Sequence, residues 1–556
     1  MFFIDKQQVN KYFSPNLSSF RVLLIAFFYL TIFFILFLSC TVQANENSPE
    51  INQVENLPAN TVDANKFDIF EYQVEGNTKL PQVQIEKAVY KFLGEKKTFA
   101  DVSAARDALE KAYHDAGYLT VLVDIPEQEV NKKVVKLNVT EGKVGRLRVK
   151  DSDYFSLGRI KQVASSLKEG EVPHFPSVEE DISKLNRTAD RRVTPVMKAG
   201  KKYGTVDVEL KVEDKLPVHA NLELNDRYSQ DTSRWRLGGS IRYDNLWDKD
   251  HSISANFLTA PENTEEVKVI SGNYLMRFDK TDALLALYAV KSKSNVATVG
   301  GINVLGDGTI LGARFIKPLP ALDNYFHSLS LGLDYKDFGQ TVQFGSSNET
   351  PVKYAPFSAS YTGTWQGEAS ATQLTTTFNF GFRDFLSDEN EFEAKRAGAR
   401  PNFFVSKVEL EHTKNFVNGA QGFIKLDGQF TGAPLISNEQ YLAGGFDTVR
   451  GYLESQASGD RALHATVELR SPRLLKNVTW INDFKLLSFF DVAQLSTIDA
   501  AEGQDDNVTI SGAGLGLQLQ AFNHVNMNWY LAWALKDYAT VEKGDLQSHL
   551  RLWYEF

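Results

Sequence analysis

Leu550-Arg551-Leu552-Trp553-Tyr554-Glu555-Phe556 is the stretch that ends this chain. Positions 550, 552, 554 and 556 are apolar or aromatic, whereas Arg551 and Glu555 place charge between them. The side chains of a β-strand alternate between two faces, so one face of this stretch suits lipid and the other suits a wet interior. The stretch therefore predicts the last strand of a membrane β-barrel, although an amphipathic strand of a soluble protein has the same alternation.

The residues before this stretch repeat the pattern and decide between a membrane barrel and a soluble protein. Sixteen alternating segments can be placed, at 219–228, 235–244, 251–260, 266–278, 283–293, 309–317, 325–338, 356–366, 371–383, 402–416, 421–432, 461–472, 482–493, 508–520, 525–536 and 546–556. Lengths near ten residues suit tilted membrane strands, and an even number suits a closed antiparallel barrel. The sequence predicts an all-β membrane barrel of 16 antiparallel strands over residues 215–556.

The connections between these segments give a second test. Short turns, such as Asp279 to Asp282 and Val417 to Ala420, mostly alternate with long polar connections. Outer-membrane barrels have this alternation of short periplasmic turns with long extracellular loops, and a soluble β-sandwich has no reason to keep it. The longest connection, 433–460, lies between segments eleven and twelve.

Three glycines share one face of the fourteenth segment. Gly512, Gly514 and Gly516 alternate with leucines that point the other way, to lipid. A glycine face toward the interior leaves space for something to pass or to pack there, and a sharp bend of the barrel wall is the alternative interpretation.

The N-terminus indicates the compartment. Lys6, Lys11 and Arg21 precede an apolar run over 22–38, and Val42 and Ala44 fit a secretory cleavage site. We expect a signal peptide over 1–44 and a polar leader over 45–66, and a retained transmembrane helix is the alternative, because the run is close to spanning length. The single cysteine, Cys40, would leave with the signal, so neither disulfides nor thiol chemistry are expected.

The composition agrees with an outer-membrane protein. No second long apolar run follows the first, and aromatic residues make up 12% of the chain, which suits aromatic girdles. The formal charge of -10, without a dense basic tract, argues against a nucleic-acid partner. The composition therefore predicts that the protein lies in a lipid bilayer.

Two small α+β domains are predicted between the leader and the barrel. In residues 67–141 the order is β-α-α-β-β, with Pro81 opening the first helix and Gly94 ending it. The same order recurs more faintly over 142–214. The segments Phe70-x-Tyr72-x-Val74-x-Gly76-Asn77 and Arg192-Val193-x-Pro195, the latter with Gly204-Thr205, resemble paired POTRA domains of two-partner-secretion transporters. This resemblance implies periplasmic domains that receive an unfolded client by β-strand addition.

A motif in the longest connection adds to this resemblance. The loop holds Gly444-Gly445-Phe446-Asp447-Thr448-Val449-Arg450-Gly451-Tyr452, which is similar to the Val-Arg-Gly-Tyr signature of the superfamily that includes BamA and the two-partner-secretion transporters. Further matches are Val467-Glu468-Leu469-Arg470-Ser471-Pro472, Phe489-Phe490-Asp491 and Asp244-Asn245-Leu246-Trp247. The leader shows no apolar helical stripe, so the plug helix of several relatives is not expected here.

The resemblance implies a conformational lock in the barrel. The loop is expected to fold back into the lumen so that Arg450 meets an acidic residue of the inner wall. Alternation makes Asp491 the first candidate partner and Glu468 the second, with Val449, Gly451 and Tyr452 completing the loop motif. The planar guanidinium can hold a carboxylate with two parallel hydrogen bonds. The alternative is a solvated loop arginine without a partner.

Enzymatic readings find no support in the sequence. No Gly-x-Ser-x-Gly, His-Glu-x-x-His or Walker sequence occurs, so no catalytic residues are predicted. Gly94-Glu95-Lys96-Lys97-Thr98 imitates the end of a phosphate loop and is interpreted as a helix stop. The nine histidines show no metal-ligand spacing, and neither a metal nor another cofactor is expected.

The leading hypothesis is therefore an outer-membrane transporter, with its POTRA domains in the periplasm, that exports one large β-rich exoprotein of the haemolysin, adhesin or contact-dependent toxin kind. An assembly factor of the BamA or TamA type is the alternative, and a passive pore is the third reading. Periplasmic chaperones and the barrel assembly machinery are expected partners during biogenesis. The terminal Phe556, with Tyr554, resembles the insertion signal that such machinery reads.

Overall fold

The computed structural model describes residues 66–556, except positions 131, 231, 280, 295, 296, 300, 301, 305, 344, 345 and 349. The signal peptide expected over 1–44 lies outside the described residues, as does the leader over 45–65. Among the described residues, no helix has both the length and the apolar character needed to cross a membrane.

The first small domain folds around a three-stranded sheet. Its elements are β1 (Phe67–Ile69), β2 (Glu71–Glu75), α1 (Gln82–Val89), β3 (Gly94–Lys97), α2 (Phe99–Asp115), β4 (Val121–Asp124) and β5 (Val134–Glu141). The strand order is β2-β5-β4, with β2 parallel and β4 antiparallel to the central β5. The alternating residues of β4 and β5 that face the two helices are buried, and the helices contribute Val102, Leu109 and Tyr113 to the same core.

The first helical segment does stop before Gly94, as predicted, but Gly94 to Thr98 form more than a helix stop. Residues Gly94–Lys97 form β3, which pairs antiparallel with β1 and joins Phe67 to Lys97. Thr98 then begins α2, and the carboxylate of Asp101 accepts a hydrogen bond from the Thr98 backbone N–H at 2.8 Å. The pairing partner of β3 lies about one helix away in sequence, so local turn signals did not reveal it.

The second small domain repeats the predicted order without an additional strand pair like β1–β3. It consists of β6 (Lys143–Lys150), α3 (Leu157–Val163), α4 (Phe175–Leu185), β7 (Arg191–Ala199) and β8 (Thr205–Asp214), in a sheet of order β6-β8-β7. The two domains meet where α2 ends. Phe175 N donates to Gly117 O at 2.9 Å, and the rings of Tyr118 and His174 lie 5.3 Å apart.

Sixteen strands of the described residues close the barrel. They are β9 (Val218–Asn225), β10 (Arg236–Leu246), β11 (His251–Thr259), β12 (Lys268–Arg277), β13 (Leu284–Lys293), β16 (Asp307–Pro318), β17 (Tyr325–Gln343), β20 (Phe357–Gln366), β21 (Ser370–Phe380), β22 (Phe404–Asn415), β23 (Gln421–Thr431), β26 (Arg461–Arg470), β27 (Ile481–Ser496), β28 (Asn507–Ala521), β29 (Val525–Ala534) and β30 (Leu546–Glu555). All neighbours are antiparallel, as predicted, and each strand coincides with one predicted segment.

Shorter elements occupy the long connections. They are β14 (Ala297–Val299), β15 (Ile302–Val304), β18 (Ser346–Asn348), β19 (Val352–Tyr354), α5 (Glu389–Lys395), β24 (Tyr441–Ala443) and β25 (Ala457–Gly459). These connections leave the barrel at the end opposite to the two small domains, because β9 starts next to β8 and every second turn returns to that end.

The barrel closes between its first and last strands. The register of β30 on β9 runs from Arg551↔Asn225 to Glu555↔Asn221, and Phe556 exchanges two main-chain hydrogen bonds with Ala220, at 2.9 and 3.2 Å. The side chains of Tyr554 and Phe556 are exposed on the outer surface. An exposed aromatic face at this position suits lipid contact, as the alternation predicted.

The second domain is tied to the barrel by charge. Arg191, which is buried, holds Asp250 of the β10–β11 turn through two hydrogen bonds of 3.1 and 3.3 Å. Arg159 holds Asp279 of the β12–β13 turn at 2.7 and 2.8 Å. Two short turns of the barrel thus carry aspartates that pair with arginines of the second domain. These ion pairs fix the position of the second domain at the end of the barrel that carries the short turns.

Candidate functional site

The loop between β23 and β26 runs back into the barrel. Arg450, at its tip, contacts the inner wall through Glu468 of β26 and Asp491 of β27, its carbonyl oxygen lies against Gly512 of β28, and its side chain faces Tyr530 of β29. The neighbouring side chains on the opposite face of these strands, Val467 and Phe490, are exposed toward lipid, so the contact is made from the lumen. The predicted inward fold of the loop is therefore present in the structure.

Arg450 bridges both predicted carboxylates. Its Nε and Nη2 donate to Oδ2 and Oδ1 of Asp491 at 2.7 and 2.8 Å, which is the bidentate arrangement expected of a guanidinium. Its Nη1 donates to Oε1 of Glu468 at 2.7 Å. Asp491 is completely buried and Arg450 is 3% exposed, so this ion triad lies away from bulk water. The two candidate partners act together rather than as alternatives.

Two aromatic rings complete the setting of the guanidinium. Its Cζ lies 3.6 Å from the ring centre of Phe489 and 4.9 Å from that of Tyr530. Burial works to lower the pKa of Arg450, but the hydrogen bonds and charges of Asp491 and Glu468 outweigh it and raise this pKa above its ordinary value. Arg450 is consequently charged at every pH that a cell tolerates, and the contact does not depend on its titration.

Two glycines let the loop tip approach the wall. Gly451 has φ +103°, a conformation that side-chain-bearing residues rarely adopt. On the wall, a Cβ at Gly512 would lie 1.8 Å from the carbonyl oxygen of Arg450. The inward glycine face of β28 therefore serves packing rather than passage, since Gly514 and Gly516 likewise make room for the rings of Phe489 and Tyr530.

The flanking motif residues secure the tip. Tyr452 is fully buried, and its hydroxyl donates to the carbonyl oxygens of Lys536 and Ser511, at 2.7 and 3.2 Å. Val449 is also fully buried, in a cluster with Ile510 of β28 and Ala534 of β29. All residues of the predicted motif are thus brought to one place.

Comparison with known families adds the identity of the protein. Residues 204–519 match the family described as haemolysin secretion/activation protein ShlB/FhaC/HecB. The chain belongs to this family. Residues 67–142 match the POTRA domain of ShlB type. The protein is an outer-membrane transporter of the two-partner secretion type, with its POTRA region in the periplasm, and it is not an enzyme.

Individual relatives of the transporter are distant but extend over most of its length. The heme/hemopexin transporter protein HuxB of Haemophilus influenzae is 20% identical over 501 residues, which cover 86% of each chain. The outer membrane transporter CdiB of Dickeya dadantii is 20% identical over 547 residues, which cover 90% of each chain.

Solved structures show the same fold. CdiB from Escherichia coli superimposes with a TM-score of 0.64 at 17% identity, covering 90% of the transporter and 93% of that chain. BamA from Haemophilus ducreyi lacking POTRA domains 1-3 superimposes with a TM-score of 0.53 at 15% identity, covering 88% and 100%.

Further buried ion pairs hold the same loop in the transporter. At its end, the carboxylate of Asp460 meets Arg396 of the loop between β21 and β22, with Nη2 to Oδ2 at 2.8 Å. Near its start, Glu439 accepts from Lys336 at 2.6 Å and from Tyr354 at 2.7 Å. Sequence reasoning missed these anchors. Buried loop carboxylates without a motif carry no signal that distinguishes them from solvated ones.

A third anchor lies beside the tip. Arg227, which follows β9, forms ion pairs with Asp447 and Glu454 of the loop, the latter at 3.1 Å. The loop is therefore fastened to the beginning of the barrel as well as to β26–β30. Motion of the tip must break contacts on both sides of the seam between the first and last strands.

One cluster could ligate a metal, although no histidine spacing predicted it. Single ligand atoms of Asp190, His219 and Asp244 all lie within 4.8 Å of one another. The cations Lys215 and Arg242 already pair with the two carboxylates, at 3.5 and 2.8 Å, and the imidazole of His219 lies 2.8 Å from Asp190. With its charges balanced in this way, the cluster serves as part of the ionic junction between the second domain and the barrel.

The glycine of the wall provides a direct test of the packed tip. Gly512→Ala is expected to displace the Arg450 carbonyl and with it the guanidinium. The added methyl carbon would otherwise lie 1.8 Å from the carbonyl oxygen, which is far closer than van der Waals contact allows. We expect a clear loss of secretion and a changed pore conductance in planar bilayers, with normal amounts of protein in the outer membrane.

Gly272→Ala is the matched control for this substitution. It also adds a methyl to a barrel strand, but the methyl meets only a carbonyl oxygen of Ser254 at 3.9 Å. If both variants behave like the wild type, close packing of the tip on β28 does not matter for transport.

Proposed function

We propose that this transporter exports one large β-rich exoprotein, which its first domain captures in the periplasm and which leaves through the barrel once the loop tip has moved. The observation that carries this proposal is the arginine-centred bridge in the lumen of a barrel that two small α+β domains precede. A tip held by a buried ion triad occupies space in the lumen through which a client must pass, so transport requires its release. The family membership supplies the class of cargo, a large exoprotein.

The first domain offers β4 as a site for strand addition. β4 is an edge strand, since it pairs with β5 and with no other strand among the described residues. Gly142 N donates to Thr120 O, so residues 120, 122 and 124 direct their main-chain groups toward β5. By alternation, Val121 and Val123 direct theirs outward. An extended client segment could take these outward groups and lengthen the sheet.

A proline substitution tests this edge. Val123→Pro removes an outward N–H while leaving the ladder between β4 and β5 intact, because proline cannot donate a hydrogen bond. We expect about a fivefold fall in the amount of client in the culture medium, the ratio that the loss of one main-chain hydrogen bond at the docking edge produces. The measurement is quantitative immunoblotting of a tagged client, with the transporter in the membrane as reference.

Leu122→Pro is the companion variant. Its N–H points toward β5, so it should destabilise the first domain and increase its sensitivity to protease by more than Val123→Pro does, since Val123→Pro breaks no bond of the β4–β5 ladder. Secretion that is lost in Leu122→Pro and unchanged in Val123→Pro would show that the domain matters but that its β4 edge receives no client.

The ion triad of Arg450, Asp491 and Glu468 then acts as a conformational lock. Three groups with full charges and mutual hydrogen bonds define one position of the tip, and a client that enters the lumen can compete for them. Biogenesis of the transporter itself requires periplasmic chaperones and the barrel assembly machinery, with Tyr554 and Phe556 as the insertion signal.

Deletion of the gene, followed by comparison of culture supernatants and outer membranes, tests the proposal as a whole. Loss of one large secreted protein supports export. A general loss of outer-membrane barrels supports the alternative, an assembly factor like BamA, whose barrel has the same fold. If neither the supernatant nor the outer membrane changes, the transporter exports nothing under the growth conditions used, and the export proposal is wrong for those conditions.

A further inference from the structure

The outward groups of β4 are already occupied by side chains of the same domain. The carboxylate of Glu110, on α2, accepts a hydrogen bond from Val123 N at 2.9 Å. One turn further along α2, Nε2 of His114 lies 3.2 Å from the carbonyl oxygen of Val121. A carbonyl oxygen can only accept, so Nε2 of His114 is the donor in this pair.

These two side chains copy the hydrogen bonds of a neighbouring strand. A strand beside β4 would present one acceptor to Val123 N and one donor to Val121 O, and Glu110 and His114 present the same two groups. Residues four apart on a helix lie on one face, so α2 can hold both along the edge. Unpaired edge groups invite association with other strands, and covering them is a common protection.

We propose that Glu110 and His114 form a removable cap on the β4 edge, and that an extended segment of the exported client binds by displacing this cap. This inference rests on the proposed function, because it concerns the same docking edge. The cap makes the edge autoinhibited. Segments that bind weakly or non-specifically do not displace Glu110 and His114. A segment displaces them only if it supplies replacement hydrogen bonds together with side-chain contacts.

The surroundings of the edge favour an extended chain as its occupant. Leu122, beside the capped groups, is 55% exposed and offers an apolar contact outside the core. At the end of β4, the hydroxyl of Tyr203 from the second domain lies 3.3 Å from the carboxylate of Asp124. A single extended chain needs only about 4.8 Å beside β4, which is far less room than a second folded domain needs next to Tyr203.

The test uses the full-length transporter in detergent and a defined probe, a fluorescent ten-residue peptide of alternating threonine and valine. Fluorescence anisotropy gives its Kd for the wild type and for Glu110→Ala/His114→Ala. We expect the uncapped variant to bind at least about fivefold more tightly, the ratio that one hydrogen bond of ordinary net strength produces. Methylation of every peptide nitrogen should abolish binding to both, because neither edge of the peptide can then donate to Val121 O.

Two control variants separate capping from general effects on α2. Glu110→Gln/His114→Gln keeps one acceptor and one donor at the same positions and should bind like the wild type. Lys111→Ala/Asp115→Ala removes an exposed ion pair with the same spacing on the same helix, 2.6 Å long, and should also bind like the wild type. Circular dichroism of each variant shows that the domain is folded.

The outcomes distinguish the cap from the edge itself. Equal Kd values for the wild type and the uncapped variant, or weaker binding by the uncapped variant, would overturn the cap. Absence of peptide binding to any variant, together with normal secretion from Val123→Pro, would remove client capture at this edge and so the function on which the cap rests. If the uncapped variant dimerises in light scattering and the peptide does not reverse this, the occupant is a second copy, and the proposal is wrong.

Discussion

Arg450→Ala is expected to produce the largest single effect on transport. The substitution leaves Asp491 completely buried with no cation, and loss of one partner from a buried pair costs about 3–5 kcal/mol. The loop tip should then leave its position on β26–β30. We expect secretion of the client to fall below detection, and the conductance of the purified barrel in planar bilayers to rise, while the protein still reaches the outer membrane.

The structure sharpens this prediction for the acidic partners. Because Glu468 also holds the guanidinium, Asp491→Asn should be milder than Arg450→Ala, and Asp491→Asn/Glu468→Gln should equal it. Adding Arg450→Ala to that double variant should cause no further loss of secretion if the three residues act as one unit. Arg450→Lys should restore little, because an ammonium cannot hold Asp491 with two parallel bonds.

Lys425→Ala is the matched control for the lock. Lys425 is a half-buried cation of β23 that pairs with Glu409 and Glu411, at 3.1 and 3.2 Å, so its ion-pair partners within the described part of the chain belong to the wall and not to the loop. Wild-type secretion from Arg450→Ala would remove the lock altogether. An equal loss in Lys425→Ala would show that charge inside the barrel, rather than the loop bridge, is what transport needs.

Removal of the first domain is expected to have the second large effect. Deletion of residues 67–141 takes away the β4 edge but keeps the second domain, whose Arg191 and Arg159 remain paired with Asp250 and Asp279 of the barrel turns. We expect no detectable secretion from this variant, since no strand-adding edge of the first domain is left. Heat-modifiable mobility of the barrel in gels should be unchanged, which reports normal closure.

The larger deletion of 68–214 serves as comparison, because it also removes the junction with the barrel. If deletion of 67–141 secretes normally and deletion of 68–214 does not, client capture belongs to the second domain. If both secrete normally, capture by these domains is wrong.

The barrel was predictable from local pattern. Alternation has a period of two residues, so each barrel strand can be located from its own sequence, and the positions of the sixteen barrel strands follow from the predicted segments. The lengths of turns and loops are also local features of the sequence. They predicted which end of the barrel carries the short periplasmic turns and which carries the long extracellular loops. The pairing of Arg450 with Asp491 and Glu468 was also expected, but through resemblance to a family motif and not from local pattern.

Tertiary structure alone decided features whose partners lie far apart in the chain. The glycines of β28 proved to make room for Arg450, Phe489 and Tyr530, a purpose that depends on a loop about sixty residues away. The ion pair of Asp460 with Arg396 and the cap of Glu110 on Val123 likewise join residues that carry no distinguishing local signal. A charged residue has the same sequence signature whether it meets water or a buried partner. The sequence by itself therefore determined where the strands lie, and the closed fold determined which charges are held.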